Sequence, residues 1–327
     1  MKLLTITNNP HRASFRQRIG VYLDLLRANG IDCEVAPLPA RFSARRRLFK
    51  RAADFDGVFL HKKGLNVLDA WSLRKYSRKI IYNFDDAVMY SDKNPGRYSR
   101  SHFVPFRRSV RLADLVITGS AYLAEHARRF NSNVEVLPIG LKVSDYRPDY
   151  RAKADDKIRL VWIGSRSTLN YLEEIKPAIQ EIAARCNRVI LRIICDGFPE
   201  LNNVFVERRL WSMDTRGTDL ATSDIGLAPL PDNRFTRGKC SFKVLEYSAA
   251  GLPVIASPVG TNSDYVKDGA TGFLAAGAPQ WIDRMMQLIQ TPELRRKMGR
   301  EGRAYAETFD ISVIGERLSK SIKRCLV

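Results

Sequence analysis

The sequence predicts an α/β protein built from two Rossmann-like, doubly wound domains facing a cleft, on three observations. Short apolar, β-branched runs alternate with amphipathic stretches, and the alternation breaks at a polar joint and then restarts. The length, 327 residues, is too great for one comfortable core and suits two domains.

The first set of runs is KLLTIT (2–7), IDCEVA (31–36), DGVFLH (56–61), KIIYNF (79–84), DLVITG (114–119) and NVEVLP (133–138). With so little polar alternation they read as strands buried on both faces of a parallel sheet. Between them, Phe15 to Asn29 reads as a helix, with Ile19, Leu23 and Leu26 at helical spacing and Gly30 as its stop. After LKVSDYRPDYRAKADD (141–156) come KIRLVWIG (157–164), VILRIICDG (189–197), NVFVE (203–207), DIGLAP (224–229), PVIAS (253–257) and TGFLA (271–275). The expected boundaries are a first domain over 1–146, a linker over 147–156 and a second domain over 157–308. Pro292 to Val327 reads as helices.

The net charge of +19 is unevenly spread. Residues 1–150 hold 27 Lys and Arg against 14 Asp and Glu, and residues 151–327 hold 27 against 21. A basic domain implies an anionic partner, be it nucleic acid, a membrane surface or a phosphorylated substrate. Five scattered cysteines (Cys33, Cys186, Cys195, Cys240, Cys325) with no C-x-x-C pair suggest a reduced, cytoplasmic setting. The apolar part of MKLLTITNNP is too short for a signal peptide, and no run is long enough to span a bilayer.

The most informative segment is RGKCSFKVLEYSAAGLPVIAS, Arg237 to Ser257. It predicts a helix from about Cys240 to Ala250, ended by Gly251 and Pro253 and followed by a strand. Lys239, Lys243 and Glu246, at i, i+4 and i+7, then share one helix face. Two ammonium groups beside a helix N-terminus suit a pyrophosphate, and a carboxylate one turn on suits the hydroxyls of a ribose.

DIGLAPLPDNRFTRGKCSFKVLEYSAAGLPVIASPVGTNSDYVKDGATGFLA resembles the donor-binding signature of retaining glycosyltransferase family four, the glycosyl transferases group one. The similarity continues in WIGSRSTLNYL (162–172) and in 281–309. The resemblance implies the two-domain GT-B fold, a helix over 309–327 that crosses back onto the first domain, and a nucleotide-diphosphate sugar as substrate, with no cofactor and no metal. It also implies that Glu246 holds the donor ribose, that Lys243 neutralises the diphosphate, and that Gly164 begins a loop beneath the phosphates. Many members carry a second glutamate seven residues earlier that touches the transferred sugar. Gly238 stands there, so sugar contacts are expected from backbone N–H groups around Gly238 to Ser241, including Lys239 and Cys240, or from another side chain.

IGSRST (163–168) follows a strand and precedes a helical pattern. Ser165, Arg166, Ser167 and Thr168 could meet an oxyanion there, or Ser167 or Thr168 could simply cap the helix. The spacing is not that of a Walker sequence. In the first domain, Asp85 and Asp86 end a strand where open α/β sheets keep ligand groups. They could bind acceptor hydroxyls, serve as a base, hold a divalent ion or cap a helix; the resemblance favours substrate contact. His11, Arg12, Arg16 and Arg18 follow the first strand and could reach phosphates or an anionic acceptor. His61 and His102 are weaker acid–base candidates, and Trp211 either lies near the base or packs in a core. RFSARRRLFKRAADF (41–55) interleaves aromatics with cations and could lie on an anionic membrane or form a core-facing helix with a solvated basic face.

The sequence thus predicts a glycosyltransferase moving a sugar from a UDP- or GDP-type donor to a saccharide or lipid-linked acceptor, with retention, in polysaccharide or glycoconjugate biosynthesis at the inner face of the membrane. A nucleic-acid-binding protein is the alternative suggested by charge, though no nucleic-acid motif supports it. An epimerase or phosphorylase on the same architecture is the other.

Overall fold

The computed structural model describes residues 1–149, 155–199 and 202–327. The chain forms two compact units, the first made of Met1–Gly140, Asn233–Cys240 and Asp310–Val327, the second of Leu141–Asp232 and Ser241–Phe309. The division falls at Gly140 rather than at 146. Of the linker expected over 147–156, residues 150–154 lie outside the described residues.

In the first unit the strands are β1 (Lys2–Thr7), β2 (Asp32–Pro37), β3 (Gly57–His61), β4 (Ile80–Phe84), β5 (Leu115–Thr118) and β6 (Val134–Val136). They form one parallel sheet in the order β2-β1-β3-β4-β5-β6. Its helices are α1 (Ala13–Arg18), α2 (Leu23–Ala28), α3 (Phe42–Arg51), α4 (Val67–Tyr76), α5 (Arg100–Leu112) and α6 (Ala121–Arg128). Phe49, Leu60, Tyr82, Phe84 and Phe106 centre its core. The single helix expected over Phe15 to Asn29 is broken: Ile19 turns to φ −135°, and a 3-10 turn over Gly20–Tyr22 separates α1 from α2. The break keeps Ile19 and Leu26 buried.

The second unit holds β7 (Ile158–Ile163), β8 (Val189–Cys195), β9 (Val206–Leu210), β10 (Ile225–Ala228), β11 (Val254–Ala256) and β12 (Gly272–Leu274). They too are parallel, in the order β12-β11-β10-β7-β8-β9. Around them lie α7 (Lys176–Arg185), α8 (Arg216–Ala221), α9 (Phe242–Ala249), α10 (Asn262–Tyr265), α11 (Gly277–Gln290) and α12 (Pro292–Glu307). Trp162, Leu191, Ile193, Trp281 and Met285 centre this core. The NVFVE strand starts later than its sequence suggests, because Phe205 is exposed and the apolar run ends on an edge.

The last helix, α13 (Ile311–Leu326), belongs to the first unit and packs on α2. Gly315 permits the contact, since a Cβ there would lie 2.9 Å from both Tyr22 and Leu25. Among the described residues no helix is long and apolar enough to cross a membrane. All five cysteines are free.

Candidate functional site

In the second sheet the strand order reverses between β7 and β10. Ligands of open α/β sheets bind at the carboxyl ends of the strands beside such a point. Gly164 leaves β7 there, and α9 is the helix that follows β10. Lys243, in the first turn of α9, holds its Nζ 4.2 Å from the centroid of the buried Trp162 ring, an electrostatically favourable seat for an ammonium. A Cβ at Gly164 would meet the same indole at 2.6 Å. Glycine is therefore what lets the loop after β7 pass over Trp162.

Glu246 follows Lys243 by three residues and is buried. The Tyr146 hydroxyl donates to Glu246 Oε1 over 2.8 Å. Arg216 Nε donates to the Tyr146 oxygen at 3.0 Å and lies 3.9 Å from Glu246 Oε1. Burial pushes the Glu246 carboxyl upward, while Tyr146, Arg216 and Lys243 oppose it. Tyr146, Arg216 and Trp162 were not legible as site residues: Tyr146 sits in a linker-like stretch, and Trp162 reads as core.

The helix begins at Phe242, because Ser241 takes a left-handed conformation (φ 46°, ψ 37°). Lys239, Cys240 and Ser241 are therefore off the helix, and Lys239 does not share the face of Lys243 and Glu246. Lys239 sits in the first unit with its Nζ 4.9 Å from the Phe235 ring. The N–H groups of Gly238 and Lys239 donate to Phe235 O and Thr236 O at 3.1 and 3.0 Å, so a turn engages two of the donors expected for the sugar. The Cys240 thiol is pushed up to about 12 by burial and by Asp85 and Asp86.

Residues 166–175 form a 3-10 helix, and neither Ser167 nor Thr168 caps it: Thr168 Oγ1 donates to Ser165 O, and Ser165 and Ser167 pair their hydroxyls at 2.9 Å. The Arg166 N–H donates to Asp196 at 2.7 Å, which removes it from any phosphate, and its side chain packs on Gly197. Gly164, Ser165 and Arg166 nonetheless stand together on the exposed rim after β7. Trp211 is half-buried just past edge strand β9, its backbone N–H donating to Cys195 O.

In the first sheet the order reverses between β1 and β3. Lys62, just past β3 and at φ 54°, places its Nζ 3.1 Å from Asp85 and in contact with Asp86. Burial opposes the charge on Asp86, but Lys62 and Lys239 bring its carboxyl down to about 2. Burial likewise opposes the Lys62 ammonium, and the two carboxylates more than restore it. Gly119 lets the end of β5 approach Asp85, with only 3.2 Å between a Cβ there and Asp85 Cα. Lys62 was not legible as a site residue, because its positive φ and its pairing with Asp85 and Asp86 come only with the fold.

Beside this cluster the first unit contains a cavity of about 850 Å³, lined by Arg12, Arg45, Lys62, Lys63, Asp86 and His102 among others. Arg18 is not part of it: it is buried, with Nη1 donating to Pro138 O over 2.9 Å, a structural role. His11 is exposed and Arg16 half-buried, and neither lines the cavity. His102 Nδ1 pairs with the Ser99 hydroxyl at 2.7 Å. His61 is buried against Thr7 and is pushed down to about 4 by that burial.

Residues 143–291 match the family model for Glycosyl transferases group 1. This stretch is a group 1 glycosyl transferase domain. It contains Tyr146, Trp162, Gly164, Arg216, Lys243 and Glu246. The chain carrying this domain is 26% identical to D-inositol 3-phosphate glycosyltransferase of Nocardia farcinica, over 63% of this chain and 52% of that one. It thus spans about half the length of the curated relatives it matches. Among solved structures it is similar to Anabaena HepE in complex with UDP and glucose (TM-score 0.72, 16% identity, 99% of both chains). Sucrose-phosphate synthase of Thermosynechococcus elongatus is similar too (TM-score 0.73, 14% identity, 99% of this chain and 98% of that one). The group 1 domain and the preceding unit together have the GT-B fold.

Proposed function

We propose that the chain is a glycosyltransferase that moves a sugar from a nucleoside-diphosphate sugar to a saccharide or lipid-linked acceptor. The observation that carries this reading is the pairing of Lys243 and Glu246 on α9 beside the sheet's reversal point, inside the group 1 domain. Glu246 takes the ribose hydroxyls. Lys243, with the α9 N-terminus and the rim at Gly164 to Arg166, meets the charge that grows on the departing diphosphate, so the reading needs no metal. Retention follows from family resemblance, with the acceptor attacking on the face the leaving group vacates.

The acceptor takes the cavity of the first unit. Asp86, held ionised by Lys62, is a weak base but a strong hydrogen-bond acceptor, so it orients an acceptor hydroxyl rather than removing its proton. Arg12, Lys63 and His102 give that cavity its cationic and polar side. The role in cell-surface polysaccharide or glycoconjugate assembly, on the inner membrane face, belongs to the same proposal. In segment 41–55 Leu48 and Phe49 are buried and Phe55 is half-buried, so what it offers a membrane is its basic face and the exposed Phe42.

A thermal-shift screen against UDP, GDP, ADP and TDP tests the reading. A ligand at one hundred times its dissociation constant stabilises by ~2.7 kcal/mol. No shift with any of the four rejects it.

A further inference from the structure

Helix α4 buries Ala70 and Leu73 but splits the rest of its side chains against the usual pattern. Asp69 and Ser72 are buried, while Val67, Leu68 and Trp71 are 63%, 60% and 58% exposed. Asp69 is inside because Arg45 Nε lies 3.0 Å from one carboxylate oxygen and the Asn66 amide donates to the other at 2.8 Å. The three apolar side chains are left on the outer face of the first two turns. Phe42, the first residue of α3, is 43% exposed.

Helices α3 and α4 start from the carboxyl ends of β2 and β3, so their first turns stand at the same edge of the sheet. The cavity of the first unit opens there. Asn66, which caps α4, lines it, as do Pro39 and Ala40 just ahead of α3. Cations accompany the apolar patch: Lys75 Nζ lies 5.2 Å from the centroid of the Trp71 ring, and α3, which packs on α4, exposes Arg46, Arg47 and Lys50. Residues 41 to 53 include no acidic side chain.

We infer that this patch docks on an anionic lipid bilayer. Val67, Leu68, Trp71 and Phe42 enter the interface, where an indole sits well between apolar chains and headgroups. The α3 cations meet lipid phosphates. Complementary charge selects this occupant, because a second copy would bring another basic surface against this one, from a chain of net charge +19. Docking turns the mouth of the cavity toward the bilayer, so that a lipid-linked acceptor reaches it from the membrane; that last step rests on the acceptor role proposed for the cavity, and the docking itself does not.

The test is co-sedimentation of the full chain with phosphatidylcholine vesicles, with and without phosphatidylglycerol. Wild type partitions to the anionic vesicles, and V67S/L68S/W71S and R46E/R47E each lower that partitioning by about tenfold or more. Both variants keep the wild-type nucleotide thermal shift, which reports an intact fold separately from docking. Trp emission shifts blue on anionic vesicles, and Trp71→Phe removes the shift. The inference is overturned if wild type ignores anionic vesicles or if V67S/L68S/W71S partitions like wild type. It is equally overturned if sedimentation velocity finds a dimer that V67S/L68S/W71S dissolves, since the patch then belongs to a second copy.

Discussion

Tyr146 donates its hydroxyl to Oε1 of Glu246 over 2.8 Å, and Arg216 in turn donates to the Tyr146 oxygen over 3.0 Å. The carboxylate proposed for the donor ribose is thus held by a residue from outside its own helix. Tyr146→Phe removes the donor and leaves the buried carboxylate one partner short, a loss of about 1.5–3 kcal/mol for a hydrogen bond to a charged group. Urea denaturation reads this loss. Glu246→Gln keeps an acceptor for Tyr146 but weakens the grip on ribose, so it lowers nucleotide affinity by calorimetry while unfolding near the wild-type midpoint.

Gly238 stands where relatives in the resemblance carry a sugar-contacting glutamate, and the first unit has no room for a side chain there. A Cβ would lie 2.7 Å from Ala87 Cβ, 2.9 Å from Ala87 N and 2.9 Å from Leu123 Cδ2. Gly238→Ala is expected to destabilise by about 1–3 kcal/mol through overpacking, and Gly238→Glu by more. Neither restores a sugar contact. A Gly238→Glu variant with wild-type stability and better turnover would contradict this account.

The inner strands of both sheets were legible because strands buried on both faces of a parallel sheet form unbroken apolar runs, whereas edge strand β9, largely exposed, starts later than its sequence suggests. The face shared by Lys243 and Glu246 was legible for the same kind of reason, a helical period inside a clearly bounded segment. What escaped depended on single dihedral angles and on long-range partners. Ser241 at φ 46° starts α9 late and strands Lys239, a choice that no periodicity encodes. Arg18 looked like a loop cation but reaches Pro138, far along the chain, and Tyr146 meets Glu246 across a hundred residues. The aromatics of 41–55 matched a membrane helix by composition, while the exposed apolar face is on α4, whose buried Asp69 blurs its pattern.

Lys62 neutralises Asp85 and Asp86 together. Lys62→Met leaves two carboxylates without their shared cation and is expected to destabilise by about 3–5 kcal/mol. Adding Asp85→Asn and Asp86→Asn to Lys62→Met removes the uncompensated charge and recovers part of that loss. Comparing urea midpoints of the single and triple variants measures the recovery. If the triple variant is no more stable than Lys62→Met, the lysine is not there for charge.

His61 gives the protein a pH signature that separates it from the carboxylates. Its Nδ1 lies 3.1 Å from Thr7 Oγ1, and its ring meets Phe15 edge-on at 5.7 Å. Burial first, then Lys62 and Arg18, hold the imidazole down to about 4 from its ordinary 6.5, against the pull of Asp85 and Asp86. Between these values the unfolded chain binds a proton that the folded chain excludes, so stability rises with pH across that window. It is fully present above 6.5, falls by roughly 3 kcal/mol as the pH drops toward about 4, and loses no more to this group below that. Asp86 acts in a lower window: held down to about 2 from 3.8, it contributes above 3.8 and loses its contribution as the pH falls toward about 2. His61→Gln is therefore expected to flatten the upper slope and leave the lower one in place. Urea midpoints measured from neutral pH down to about pH 2 resolve the two windows. An upper slope that survives His61→Gln assigns it to another group, whereas its loss means that His61 is neutral near pH 7 and enters the reaction, if at all, as a hydrogen-bonding group rather than as a cationic acid.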